Sequence, residues 1–160
     1  MESNKLCEML SVRNHLGETY FHEVCRTALP SLLDRVARCL DDEIPTILAI
    51  KNYNGEQCTH TIVKYEEKYA KEMMETVVDL GADINGQEGC GGFTPLHLCV
   101  WQKNYKLARW ICGQRKTNLE AKTYAKKTAY QLAYEKKDDE MMKILKKAGA
   151  KCDPPKDDDE

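Results

Sequence analysis

The 160-residue sequence holds only three serines, Ser3, Ser11 and Ser31. None sits in a Gly-x-Ser-x-Gly elbow, which removes the commonest serine-nucleophile signature. Long apolar runs are also missing. No stretch approaches the roughly 20 residues that a membrane span requires. Met1 to Val12 carries Glu2, Lys5 and Glu8 where a secretory leader would need an unbroken apolar core. Position 2 is not glycine and no prenylation box closes the sequence. A membrane is therefore not an expected partner. Excess positive charge is absent too: the net charge is −2 and the pI about 6.1. Without a basic field to hold a phosphate backbone, direct nucleic-acid binding is not expected. Eight cysteines are present (Cys7, Cys25, Cys39, Cys58, Cys90, Cys99, Cys112 and Cys152), yet no Cys-x-x-Cys pair occurs. With no leader, reduced thiols in the cytoplasm or nucleus are expected. Gly86 to Gly92 is glycine-rich but lacks both the Lys-Ser/Thr pair of a P-loop and the dinucleotide spacing, so it reads as a hairpin tip.

What is present suits a folded chain, with 42% hydrophobic and 31% charged residues. One segment stands out: Gly92-Phe93-Thr94-Pro95-Leu96-His97-Leu98-Cys99. It resembles the ankyrin signature Gly-x-Thr-Pro-Leu-His-x-Ala, with Cys99 as the small final residue. Thr94 is placed to cap a helix and Pro95 to occupy its first position, where a missing N–H costs nothing. Leu96 is expected in the core. The resemblance implies that His97 bridges the Thr hydroxyl and a neighbouring loop. Partial copies occur at Gly17 to His22, Gly55 to His60 and Lys127 to Ala133. The histidine slot then falls at 22, 60, 97 and 131, in steps of 38, 37 and 34. The expected ankyrin period is about 33 residues, so the first two steps imply short insertions.

A second signature, Gly81-Ala82-Asp83-Ile84-Asn85, resembles the segment that closes an ankyrin repeat, and Gly149-Ala150 copies part of it. Glycine suits a helix C-terminus that turns through a left-handed residue. Counting back from each glycine pairs Met73 with Val77 and Met141 with Leu145 at helical spacing, the pattern of core faces. Met74 and Met142 follow in the same way. Unit three has Arg115 where the closing glycine would fall, and Ile44-Pro45 interrupts unit one. The expected architecture is an all-α ankyrin-repeat solenoid of about four helix-turn-helix units joined by hairpin-like finger loops. The units lie near 14–50, 51–88, 89–123 and 124–150, with a capping segment at 1–13 and an acidic disordered tail at 151–160.

Histidine and cysteine are the side chains from which a catalytic or metal site would be built. His22-x-x-Cys25 and Cys58-x-His60 have chelating spacing. However, His22, His60 and His97 share one repeat position, and equivalent residues of stacked repeats form a row and do not converge. No catalytic, metal or cofactor residues are assigned. His22, His60, Gly81, Asp83, Thr94, Pro95, Leu96, His97, Thr128 and Gly149 are assigned to the scaffold.

Beyond the general ankyrin pattern, the sequence resembles the polydnavirus I-kappa-B-like viral ankyrins over roughly residues 12–150. Three segments carry the resemblance: Asn52 to His60, Thr94 to Val100 and Lys127 to Ala133. It implies a non-enzymatic inhibitor of host NF-κB/Rel transcription-factor dimers that suppresses immune signalling and is a monomer when free. Cellular inhibitors of this kind are released after phosphorylation of a paired-serine Asp-Ser-Gly-x-x-Ser signal. Ser3 and Ser11 do not form one, so the expected inhibitor binds without that release.

In repeat geometry, the positions one, four and five after the histidine slot should face the binding groove. They are Glu23, Arg26, Thr27, Thr61, Lys64, Tyr65, Leu98, Trp101, Gln102, Glu135 and Lys136. The finger residues Tyr53, Glu56 and Tyr124 join them. Trp101 is the principal anchor candidate, since exposed tryptophan is a common interface anchor. Two other readings stay open at this stage: an adaptor for a different protein, and a structural or metal-binding module built on the cysteines.

Overall fold

Four times along the chain a tight finger turn feeds a pair of short helices. The computed structural model describes residues 2–27, 29–38, 44–65 and 67–156, with side chains from residue 5 onward. The helices are α1 (Glu2–Ser11), α2 (Tyr20–Thr27), α3 (Pro30–Ala37), α4 (Ile44–Leu48), α5 (Cys58–Tyr65), α6 (Ala70–Asp79), α7 (Pro95–Gln102), α8 (Tyr105–Cys112), α9 (Ala129–Glu135) and α10 (Asp139–Ala148). No strand occurs among the described residues.

Two rows of helices result. The first helices pack in the order α2, α5, α7, α9, and the second helices in the order α3, α6, α8, α10. The all-α ankyrin solenoid expected from the sequence is the architecture found. Ahead of it, α1 lies against α2 and α4. The short α4 occupies the stretch where Ile44-Pro45 interrupts unit one, and the Pro45 ring sits on Gly81. Gly81 has φ +104°, the left-handed turn expected for a closing glycine.

Local chemistry explains why the helices begin where they do. Thr94 is extended (φ −83°, ψ 166°) and its hydroxyl accepts from His97 N, while Pro95 opens the helix. Thr128 repeats the arrangement with Gln131 as its partner. Asn104 and Asp138 cap α8 and α10 with side-chain oxygens. Each such cap is worth about 1 kcal/mol.

The core lies between the two rows. Phe21, Leu33, Ile62, Met73, Met74, Val77, Leu107, Ile111, Met141 and Leu145 are fully buried. The pairs Met73/Val77 and Met141/Leu145 thus face inward as their spacing indicated. Each large apolar side chain so buried stabilises by about 1.5–3 kcal/mol. Met142 is only half-buried, unlike Met74, because α10 is the last helix of its row. Cys25, Cys58, Cys90, Cys99, Cys112 and Cys152 carry free thiols, and Cys7, Cys25, Cys58 and Cys99 are buried. Cys39 lies outside the described residues, as do Asp157 to Glu160, the acidic part of the expected tail. Residues 151–156 have no regular structure, but Lys151 N donates to Glu120 Oε1 (2.7 Å).

Candidate interaction surface

A row of buried histidines ties each unit to the next. His22 accepts at Nδ1 from Thr19 N (3.2 Å) and donates from Nε2 to the carbonyl of Glu56 (2.8 Å). His60 accepts from Gln57 N (3.1 Å) and donates to Phe93 O (3.0 Å). His97 accepts from Thr94 N (3.1 Å) and donates to Lys127 O (3.2 Å). The Thr94 hydroxyl lies 2.8 Å from the same Nδ1. A backbone N–H can only donate and a carbonyl can only accept. Each ring is therefore the neutral Nε2–H tautomer. Burial holds all three below the ordinary histidine value, His97 at about 4. In unit four Gln131 fills the slot. Its Oε1 accepts from Thr128 N (3.0 Å), and its Nε2 points to Pro154 O (3.5 Å), so residues 151–156 stand where a next finger would.

Finger turns are built by residues that the repeat motif does not mark. Asn14 Oδ1 accepts from Leu16 N and Glu18 N, and Asn52 Oδ1 from Asn54 N and Glu56 N. Glu88 does this for the longer third finger, accepting from Cys90, Gly91 and Phe93 N, and these bonds hold its carboxyl below the ordinary range despite burial. The turns open at Asn14, Asn52, Glu88 and Thr123. Tyr53 lies on Gly17, where a Cβ would come within 2.6 Å of the ring, and Tyr124 lies on Gly92 at 2.5 Å. Both glycines have positive φ. The two tyrosines remain 70% and 55% exposed.

The same spacing recurs on the first-helix face. The residue just before each cap position meets the residue eight further on, in the last turn of the helix. Glu18 pairs with Arg26 at 3.3 Å. Glu56 pairs with Lys64, and Lys127 with Glu135 at 2.6 Å. In unit three the pair is aromatic: Phe93 and Trp101 sit edge to face, with centroids 6.2 Å apart. The outer members Arg26, Lys64, Trp101 and Glu135 form an exposed row reading cation, cation, indole, anion. Lys136 Nζ lies 3.7 Å from the Trp101 ring centroid, within cation–π range. The indole is still 58% exposed.

Most sequence-selected contact residues are exposed: Glu23, Arg26, Thr27, Tyr53, Lys64, Tyr65, Trp101, Gln102, Tyr124 and Glu135, with Lys136 half-buried. Three are not available as free contacts. Leu98 and Thr61, one residue after the histidine slot, are buried at 8% and 1% exposure, because α5 and α7 are flanked on both sides by other first helices. Glu23 escapes this in α2, which begins the row. Glu56 is buried at 4%, held by Asn52 Nδ2 and Lys64. Burial works against the Lys64 ammonium, but the Glu56 carboxylate outweighs it, and the pKa is raised. The inner members Glu18 and Lys127 escaped selection. Setting the four units in register on the histidine slot would have revealed them, four positions before it.

Among the described residues no group of three or more His, Cys, Asp or Glu side chains could hold a metal ion. No described helix is long and apolar enough to cross a membrane.

Comparison with known proteins agrees with this geometry. The ankyrin-repeat family model matches residues 91–124. The chain is 46% identical over 151 residues to I-Kappa-B like protein H1 of Microplitis demolitor bracovirus, covering 94% of this chain and 79% of that protein. I-Kappa-B like protein G1 of the same virus is 40% identical over 151 residues, at 92% and 82% coverage. The NF-kappa-B inhibitor cactus of Drosophila yakuba is 36% identical over 151 residues, which span 93% of this chain but only 30% of cactus. Among solved structures, the ankyrin repeat domain of Bcl-3, described as a unique member of the IkappaB protein family, superposes with a TM-score of 0.77. That match covers 93% of this chain and 66% of the other at 20% identity, a likeness of fold. Similarity at this level to the bracovirus proteins over 94% and 92% of the chain, on an array of four ankyrin units, means that the chain belongs to the I-kappa-B like family.

Proposed function

We propose that the chain is a protein-binding inhibitor that engages Rel/NF-κB transcription-factor dimers of a host cell through the first-helix face and the finger tips. It acts in the cytoplasm or nucleus and has no catalytic role. The observation that carries this reading is the exposed row of Arg26, Lys64, Trp101 and Glu135, continuous across all four units and presented by a member of the I-kappa-B like family. A buried scaffold fixes the row, so little ordering remains to oppose binding. Trp101 supplies the apolar anchor, and the flanking charges set register and orientation. Tyr53 and Tyr124 extend the surface along the fingers. With Ser3, Ser11 and Ser31 as the only serines, the 160 residues contain no paired-serine release signal. Within these residues, then, nothing offers host signalling the paired serines through which a cellular inhibitor is released.

The test is competition with DNA. Purified chain is titrated into a Rel dimer bound to its labelled site. The expected result is release of DNA by the wild-type chain and a weaker effect from Trp101→Ala. No release at micromolar protein would refute the inhibitor reading.

A further inference from the structure

Unit four gathers five lysines around one cleft of about 700 Å³. Lys122, Lys126 and Lys127 come from the last finger, Lys137 from the turn between α9 and α10, and Lys156 from the segment after α10. The exposed Tyr134 forms part of the wall. Lys127 is committed to Glu135. The ion pairs found among the described residues leave Lys122, Lys126, Lys137 and Lys156 without a carboxylate partner.

The backbone gives a second, independent observation. Only three described non-glycine residues have positive φ: Lys103 (58°), Lys126 (63°) and Lys137 (54°). Lys103 and Lys137 hold the same place in their units, the turn that ends the first helix, where Asn104 N donates to Cys99 O and Asp138 N to Ala133 O, so only Lys126 departs from the repeat. The finger position of Lys126 is held by Gly17, Gly55 and Gly92 in the other units, all with φ near +70°. Glycine suits that conformation, since a Cβ there crowds the following carbonyl. Lysine at Lys126 adds strain, and its side chain does not recover it by packing, because it is exposed. Strain held without a packing return points to a role for the side chain itself.

We propose that this cleft docks an acidic segment of a partner protein. The four uncommitted ammonium groups supply the complementary charge, and Tyr134 and Pro155 offer apolar surface to a peptide. A nucleic-acid backbone fits less well. The cleft's positive charge is local, on a chain of net charge −2, whereas a phosphate backbone calls for an extended basic track. The proposal does not depend on which protein occupies the first-helix row.

The experiment uses the full chain and four probes: a short labelled peptide rich in Glu and Asp, its Gln/Asn counterpart, inorganic phosphate and a short DNA duplex. The acidic peptide should bind and weaken as salt rises. The variant carrying Lys126→Gly and Lys137→Gly should bind it about fivefold less tightly, the scale of two exposed ion pairs. Its thermal midpoint should hold or rise, because glycine is favoured at both positions. Lys122→Gln with Lys156→Gln should cause a similar loss without touching the strained backbone. Equal binding of the neutral peptide, tighter binding of phosphate or duplex, or wild-type affinity in both double variants would overturn the proposal.

Discussion

Replacing His97 by alanine strips two buried partners at once. Thr94 N loses its Nδ1 acceptor and Lys127 O loses its Nε2 donor. Thr94 N is then buried and unpaired, which costs about 1–3 kcal/mol, whereas Lys127 O keeps Thr123 N as a donor (2.9 Å), and the missing ring adds a cavity. The cost of His97→Ala is therefore about 3–5 kcal/mol, a large part of the 5–15 kcal/mol stability usual for a domain. Glutamine offers a graded control, since Gln131 already forms the equivalent capping box in unit four. His97→Gln keeps the acceptor for Thr94 N and weakens only the link to the next finger, so it should cost about 1–2 kcal/mol. Urea unfolding at neutral pH measures both. Equal losses for the two variants would refute the division of labour between the two ring nitrogens.

The same histidine makes stability depend on pH with a definite sign. In the unfolded chain an imidazole takes up its proton near 6.5, whereas native His97 resists protonation until about 4. Between these values the unfolded state binds the extra proton. The contribution is complete above pH 6.5 and is lost as pH falls towards 4. It amounts to about 3 kcal/mol. His22 and His60 are displaced in the same direction by burial and steepen the loss. Urea midpoints from pH 7 to pH 4.5 should therefore fall less steeply for His97→Gln than for the wild type. Parallel curves would show that His97 is not protonation-resistant.

Gly92→Ala should destabilise by about 1–2 kcal/mol, because it forces a Cβ against the Tyr124 ring at a left-handed φ of 69°; thermal unfolding reads this directly. Glu56→Gln should cost about 1 kcal/mol, because the buried carboxylate held by Asn52 Nδ2 and Lys64 becomes a neutral amide while the Lys64 ammonium keeps its access to water. In the Rel competition assay, Trp101→Ala should weaken binding by at least tenfold while the unfolding midpoint shifts little, since the indole is mostly exposed.

Sequence reasoning succeeded where a local motif has one physical solution. Thr94, Pro95 and His97 form a cap whose geometry hardly depends on what surrounds it, so both fold and register were readable there. Gly81 was readable because few residues tolerate its backbone. The finger turns were harder. Asn14, Asn52 and Glu88 do equivalent work with different side chains and different loop lengths, so no fixed spacing announces them. The face was harder still. Leu98 and Thr61 have the helical phase of a surface position, and only the neighbouring helices on both sides bury them. Burial of that kind belongs to the stack and is absent from any single repeat.

The four units use one repeat position in four chemical ways, and this separates scaffold from recognition. At the histidine slot the residue is always a polar group that caps its own helix and reaches onward: His22, His60, His97 and Gln131. Four residues later the side chain emerges from the stack, and there the identities are Arg26, Lys64, Trp101 and Glu135. Each has a matched inner partner, so even the variable position stays satisfied. The pair Glu18–Arg26 is inverted in Lys127–Glu135 and replaced by Phe93–Trp101. Exchanging whole pairs between units should then cost little more than the contacts that reach outside a pair, Asn14 Nδ2 on Glu18, Asn52 Nδ2 on Glu56 and Lys136 over Trp101. The order of charge and aromatic surface would change, and with it the partner that fits. An array of this kind can alter what it binds by rewriting one pair per unit while the buried histidine ladder keeps the units in register.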